Sequence, residues 1–342
     1  FGPGRDRAGA LWVTLNLGHT GGAFGEMGSS APWRGWSCRV APDGTMTPWS
    51  VGLRSPNGLG FNLDDDLFVT DNQGGYVGSS CLFHAARGAF HGHPAGLIWD
   101  ASFPGDPAET PVATFDRRRA PAAVVLPHRD MGQSPSPPLC ATTGGKFGPF
   151  AGQMFVGDQT LSFLMRIALE KVDGAWQGAC FPFRRGFQSG INRLAFAPDG
   201  ALVLGETDRG WGSTGGEPFG LQRLVPTGKT PMEALTIAAA PGGFDVTFTL
   251  PVDPASVADP AAFSIQRYRY FYHLTYGSPR VDVTPVRATA ARLSEDRKRL
   301  TLDLPDLVAG RIYEFHLGGI RSADGAEILH PAAYYTLNRL PR

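Results

Sequence analysis

The chain of 342 residues lacks an excess of charge of either sign, with 31 Lys and Arg set against 31 Asp and Glu. A protein that neutralises nucleic-acid phosphates carries a basic surplus, so no nucleic-acid partner is expected. The basic runs Arg117–Arg119 and Arg184–Arg185 are short and read as solvated loop charge. Long apolar runs are missing as well. None approaches the roughly 18 residues that cross a bilayer as a helix, so no membrane span is expected. Cysteine is scarce, and Cys38, Cys81, Cys140 and Cys180 stand far apart. That spacing excludes a CxxC redox or zinc pair and a CxxCH haem-attachment motif. It leaves open two disulfides in any pairing or four buried thiols. No Gly-x-Ser-x-Gly elbow is present, which removes the commonest hydrolase signature.

What the chain does have is glycine and proline, 45 and 29 residues. Both break helices, so a helical bundle or coiled coil is excluded. Disorder is excluded by 42% hydrophobic and 11% aromatic residues. Many short strands joined by Gly and Pro turns fit this composition, and the length suits two domains.

A strand–turn–strand unit repeats. Its second strand begins at Leu11, Leu67, Met154 and Leu202, and the fourth copy, Leu194 to Glu206, is the clearest. There Pro198-Asp199-Gly200 supplies the turn, with Gly free to adopt positive φ. Such repeats at roughly 40–50 residues are the mark of propeller blades. The interval between the second and third copies is much longer and holds an insertion or a degenerate blade. Residues 100–140 within it are rich in Pro and Ala and read as loop. Four copies are few for a closed ring, and Phe1 opens in the middle of a strand–turn unit. One or two blades are therefore expected upstream of Phe1; the alternative is a fragment with exposed edges.

The pattern changes at Thr227–Pro231, which reads as a linker. Beyond it Phe244–Leu250 alternates with strict period two, and further strands are expected at 262–266, 286–293, 299–304 and 312–317. About seven short strands in about 110 residues is the size of an immunoglobulin-like sandwich. The expected fold is thus all-β: a partial β-propeller over 1–230, then an immunoglobulin-like domain over 231–342.

The segment Arg54-Ser55-Pro56-Asn57-Gly58-Leu59-Gly60-Phe61, then Thr70-Asp71-Asn72-Gln73-Gly74-Gly75, then Gly88 to Pro94, resembles the soluble aldose (glucose/sorbosone) dehydrogenase family. Arg34-Gly35-Trp36, Gly144 to Phe150, Val156 to Gln159, Gly178 to Phe183, Arg209-Gly210-Trp211 and His330 to Arg339 are closest to its large bacterial members, membrane-associated or fused to c-type haem domains. The resemblance implies a six-bladed propeller that binds pyrroloquinoline quinone (PQQ) with calcium. It also implies oxidation of a small carbohydrate or polyol, a c-type cytochrome as electron acceptor, and a periplasmic or extracellular location.

Carried over residue by residue, the resemblance sets Arg54 against a quinone carboxylate, as a planar guanidinium suits. Gln73 touches the quinone, and Gly74 and Gly75 offer carbonyls to calcium, which accepts them readily. Asn57, Asn72 and Arg193 join Arg54 and Gln73 as cofactor contacts. The chain departs from the pattern in three places. Thr160 stands where a cofactor lysine is expected, Ile191 and Asn192 stand where arginines are expected, and the base histidine falls upstream of Phe1. The catalytic residue is therefore not assigned. Two other functions stay open: a non-catalytic carbohydrate-binding or scaffold propeller, and a calcium-dependent lactonase or sugar hydrolase.

The residues themselves offer several candidate sites. Asp71, Asp158 and Glu206 each end an equivalent strand, and with Gln159, Arg209 and Trp211 they are candidates for substrate binding. Converging carboxylates are suited to a cation or sugar hydroxyls; the bland alternative is that they bind turn amides. His84, His91 and His93 crowd one segment; His91 and His93, two apart, would share a face on a strand, but no third ligand joins them, so loop packing is expected. His128, Asp130 and Ser134 lie close in sequence, which does not make a triad. The aromatic run Tyr268 to Tyr276 is either a sugar- or partner-binding surface or a strand packed on the propeller. Asp64-Asp65-Asp66 lacks calcium-loop spacing and reads as a hairpin turn.

Overall fold

A computed structural model describes residues 1–19, 24–25, 27–258 and 262–341. It is nearly all-β. The first sheet runs β1 (Gly4–Arg5), β2 (Leu11–Thr14), β3 (Trp36–Val40) and β4 (Met46–Val51). The second runs β5 (Pro56–Phe61), β6 (Leu67–Asp71), β7 (Ser80–His84) and β8 (Val124–Leu126). The third begins with β9 (Leu139–Cys140), β10 (Met154–Asp158), β11 (Phe163–Val172) and β12 (Ala175–Arg185), and the fourth is β13 (Ile191–Phe196), β14 (Leu202–Thr207) and β15 (Phe219–Leu224). Within each, consecutive strands pair antiparallel, so each is a meander. The second strands of the four sequence repeats are β2, β6, β10 and β14, the second strand of each of these four sheets.

The sheets stack face on face in chain order, which is propeller-like. Trp12 of the first sheet packs with Leu59, Leu67 and Val69 of the second. Phe68 and Leu82 of the second share a cluster with Met154, Val156 and Met165 of the third. Phe155 and Leu164 of the third pack with Ile191, Leu202 and Leu204 of the fourth. At the outer strand β15, Phe219 and Leu221 are 74% and 77% exposed.

The insertion differs from the loop expected at 100–140. It carries the helix α1 (Val112–Arg118), besides β8 and β9. Phe115 is fully buried against Phe90 and Phe103, and that anchor fixes a helix the Pro- and Ala-rich composition hides. Arg117 and Arg118 in its last turn complement the helix dipole.

After an irregular stretch, β16 (Ala234–Ala240) pairs with β17 (Gly243–Phe248); a short helix α2 (Pro254–Ala258), β18 (Ser264–Tyr270), β19 (Arg280–Val286), β20 (Ala290–Leu293), β21 (Arg299–Asp303), β22 (Arg311–His316) and β23 (Ala332–Leu337) follow. One sheet is β16-β17-β21-β20. The other strands, β19-β18-β22-β23, continue through β12 into the third sheet and make eight strands in all. Phe244 sits between these layers, its ring 5.0–5.3 Å from those of Tyr313, Phe315 and Tyr335.

The β12–β23 pairing (Ala179 opposite Tyr335) knits the C-terminal sheets to the N-terminal ones. Gln177 reinforces it: its Nε2 donates to the Tyr335 hydroxyl, and its Oε1 accepts the N–H groups of Asn338 and Arg339. Arg166 is a second pin. Fully buried, it donates to Gln153 Oε1 and to the carbonyls of Leu235 and Ala234, between the rings of Phe150 and Phe181.

Candidate functional site

Sheets two and four enter the site in the same way. In each, an Asn stands at a register shift near the start of the first strand. Pro56 pairs with Asp71 and Gly58 with Thr70; Ile191 pairs with Glu206 and Arg193 with Gly205. Asn57 and Asn192 are the bulged residues, and a bulge re-aims its side chain. The two amides meet, Asn57 Nδ2 donating to Asn192 Oδ1 at 3.4 Å. Arg193 donates to Asn57 Oδ1 at 3.3 Å and also to Asn192 Oδ1. Asn192 Nδ2 reaches Gln159 Oε1 at 3.4 Å, and Gln159 Nε2 donates to the Arg209 carbonyl at 3.0 Å. Four of the expected contacts, Asn57, Arg193, Gln159 and Arg209, thus form one polar string drawn from sheets two, three and four. Beside it, Trp211 is 49% exposed while its indole N–H donates to Thr160 Oγ1 at 3.0 Å. Thr160 in turn contacts Ser134 Oγ at 2.9 Å. Burial lowers the pKa of Arg193.

The three carboxylates take backbone amides. Asp71 is fully buried; its Oδ2 accepts the Arg54 N–H at 2.7 Å, and its Oδ1 accepts those of Ser55 at 2.7 Å and Asn72 at 3.0 Å. Asp158 accepts Gln133, Ser134 and Leu161 N–H groups at 2.6, 2.6 and 2.8 Å. Glu206 Oε2 accepts the Ser189 N–H at 3.0 Å. In all three sheets the acid holds the chain segment that enters that sheet. This is the amide-binding alternative for these residues, and it repeats with the fold. Burial outweighs these donors and raises all three pKa values, Asp71 to about 6.

Arg54, Gln73, Gly74 and Gly75 form a separate cluster. Arg54 Nη1 donates to the Gln73 carbonyl at 3.0 Å, and the guanidinium lies over the Tyr276 ring at 5.1 Å. Its shaft crosses Gly74, where a Cβ would stand 1.9 Å from Arg54 Nε. The 271–278 loop between β18 and β19 closes this cluster. Tyr76 N–H donates to the His273 carbonyl at 2.8 Å, and Gly277 N–H donates to the Gly74 carbonyl at 3.1 Å. Tyr272 hydroxyl donates to the Gly92 carbonyl at 2.5 Å, and its ring faces Tyr76 and Arg119. A Cβ on Gly75 would meet the Leu274 carbonyl oxygen at 2.8 Å.

These residues do not fit a quinone and calcium in this arrangement. The Gly74 carbonyl already accepts two N–H groups, from Val77 and Gly277. The Arg54 guanidinium is held by Gln73 and Tyr276 where a quinone carboxylate is expected. Among the described residues no group of three or more His, Cys, Asp or Glu is placed to hold a metal.

The remaining candidates are structural. His93 Nδ1 accepts the Ala95 N–H at 3.3 Å, and His91 Nε2 lies 3.0 Å from Ser50 Oγ. Burial lowers both His pKa values to about 3, so both are neutral at physiological pH. His84 faces Asp66 at 3.5 Å. Asp130 pairs with Arg280, and Ser134 with Thr160, rather than with each other. Asn62 Oδ1 accepts the N–H groups of Asp64 and Asp66 in the β5–β6 turn. All four cysteines are free, buried thiols, and burial raises the pKa of each.

Asn192 is the contributor that sequence reasoning missed; most of the 271–278 loop lies in the aromatic run Tyr268 to Tyr276, for which packing was one of the two readings. Asn192 had a signal: Pro56-Asn57-Gly58-Leu59 aligns within the repeat with Ile191-Asn192-Arg193-Leu194. The aromatic run signalled that this segment packs, but not where, because the loop joins segments about two hundred residues apart in the chain.

No family model matches the sequence, and the search of curated proteins returns no match. Among solved structures, one from Thermus thermophilus described as a putative oxidoreductase (glucose dehydrogenase) aligns over 64% of this chain at 20% identity, with a TM-score of 0.43. A second protein named glucose dehydrogenase aligns over 65% at 18% identity, also with a TM-score of 0.43. The aligned part spans 62% of each of those chains. The S-layer protein rSbsC aligns over 32% of this chain and 14% of its own, at 26% identity and a TM-score of 0.26. No helix among the described residues is long and apolar enough to cross a membrane.

Proposed function

We propose that this chain is a carbohydrate-binding protein with a sugar-dehydrogenase-like propeller, and that its amide string holds a small sugar or polyol. In this reading residues 1–230 form the propeller domain and residues 231–342 an immunoglobulin-like sandwich, in the periplasm or outside the cell. The observation that carries it is the meeting of Asn57 and Asn192 with Gln159 and Arg193, next to the exposed indole of Trp211. Amides both donate to and accept from vicinal hydroxyls, a guanidinium donates to them, and an indole face covers the C–H face of a pyranose. The carboxylates Asp71 and Asp158 support the frame rather than the ligand, because their oxygens are taken by backbone N–H groups.

A second reading, oxidation of that sugar with PQQ, calcium and a c-type cytochrome acceptor, rests on the adjacency of Arg54 and Gln73. It requires the 271–278 loop to leave the cluster. Calorimetric titration with an aldose and polyol panel tests the first reading; saturable binding lost in Asn192→Ala supports it, and no binding by the folded chain overturns it.

A further inference from the structure

The amide string is rich in donors and short of acceptors. Asn57 Oδ1 already accepts from Arg193, Asn192 Oδ1 from both Asn57 and Arg193, and Gln159 Oε1 from Asn192. The side-chain nitrogens of Asn57, Asn192 and Gln159 each use one N–H within the string and keep the second. Arg193 is held from one side. Its Nη1 makes every contact, to Asn57 Oδ1, to Asn192 Oδ1 and to the Asn192 carbonyl at 2.7 Å. Its Nε and Nη2 have no acceptor among the described residues, and no carboxylate there pairs with it. Arg193 is exposed, yet burial of part of its side chain disfavours the charge, with no counterion to offset that cost. The acids nearby are engaged elsewhere. Asp158, which precedes Gln159, accepts three backbone N–H groups, and Glu206, opposite Ile191, accepts that of Ser189.

A hydroxyl brings a proton that needs an acceptor, whereas a carboxylate brings acceptors only. The parallel N–H groups on the Nε–Nη2 edge of an arginine match the two oxygens of a carboxylate, and a guanidinium already held in place loses less freedom on binding. Building on the sugar-binding reading, we infer that the string takes a sugar acid, a pyranose uronate, and that Arg193 selects it by binding its carboxylate through Nε and Nη2. The remaining N–H groups of Asn57, Asn192 and Gln159 donate to hydroxyl oxygens of the ring, and the Trp211 indole covers its C–H face. Nη1 stays with Asn57 and Asn192, so the contacts that build the string also aim the fork. A neutral hexose presents a hydroxymethyl group in place of the carboxylate, leaves the fork without its anion and binds more weakly.

The probes are D-glucuronate, D-galacturonate and D-mannuronate, each titrated calorimetrically into the full chain beside its parent hexose. At least one uronate is expected to bind at least about tenfold more tightly than its parent. Raising salt from about 0.02 M to about 0.5 M is expected to erase most of that preference, because an exposed ion pair is screened. Arg193→Gln keeps a donor for the string but loses the charge and the fork, so the ratio of the two affinities is expected to fall to about one, whatever happens to either alone. Arg193→Lys keeps the charge without the fork and is expected to give an intermediate ratio. Saturable hexose binding with no preference for any uronate overturns the inference and leaves the sugar-binding reading standing. Binding of neither uronate nor hexose by the folded chain overturns both. A preference that survives in Arg193→Gln, or one that salt does not diminish, also overturns the inference. Should Arg193→Gln fail to fold, the salt series on the wild-type chain decides.

Discussion

Replacing Gly74 by Ala is a test of how the Arg54 cluster is closed. The new Cβ would stand 1.9 Å from Arg54 Nε and 2.1 Å from its Cζ. A shift of a few tenths of an ångström does not relieve such an overlap, so the guanidinium must leave. It then forfeits its hydrogen bond to the Gln73 carbonyl, worth about 1.5–3 kcal/mol for a charged donor. It also forfeits the Tyr276 ring, worth about 0.5–2 kcal/mol depending on desolvation. The expected loss of stability is about 2–5 kcal/mol, read by urea unfolding. Because the whole penalty passes through one side chain, it should vanish when that side chain is gone. Gly74→Ala in an Arg54→Ala background is therefore expected to cost less than about 1 kcal/mol, leaving a coupling of about 1 kcal/mol or more. Additivity of the two substitutions to within about 0.5 kcal/mol would refute the reasoning, since independent sites behave that way.

Three further outcomes follow from the same geometry. His91 and His93 are held neutral by burial, with pKa values of about 3 against an ordinary 6.5. The fold therefore has their full contribution above about pH 6.5 and loses it as pH falls, by about 2 kcal/mol each at pH 5. His91→Gln should flatten the stability difference between pH 7.5 and pH 5 by about that amount; an unchanged difference would speak against the buried neutral imidazole. Arg166→Lys should destabilise by about 2 kcal/mol or more, because an ammonium cannot fork to Gln153, Ala234 and Leu235 together; an unfolding midpoint equal to wild type would show that the pin carries little. Trp211→Ala, at an exposed position, should change stability by less than about 0.5 kcal/mol while lowering sugar affinity about tenfold, measured calorimetrically.

Much of the frame was legible in the sequence because repeats and period-two alternation are local signals. Leu11, Leu67, Met154 and Leu202 each begin the second strand of a sheet, and Phe244 lies in β17 as its alternation requires. The short helix Val112–Arg118 was not legible, since its one buried anchor, Phe115, gives no periodicity. The candidate site was only half legible. The family resemblance marked Arg54 and Gln73, and position at strand ends marked the three acids, yet what each side chain bonds to depends on partners distant in sequence. Asp71 is bound by N–H groups of Arg54 and Ser55, and the Gly74 carbonyl by Gly277 from the loop between β18 and β19. Residue type suggested ligands; tertiary contacts filled those positions with protein. Asn57 and Asn192 point the other way, because the repeat itself places them in register and the bulges bring them together.

One experiment bears most directly on the claim that the chain binds sugar through the amide string rather than quinone through Arg54. The folded chain is titrated with PQQ and calcium by absorbance and thermal shift, then with an aldose and polyol panel by calorimetry. No quinone binding is expected, and sugar binding is expected to be saturable and abolished or weakened in Asn192→Ala and Trp211→Ala. Micromolar binding of PQQ with sugar-dependent dye reduction, or sugar binding indifferent to both substitutions, would contradict it.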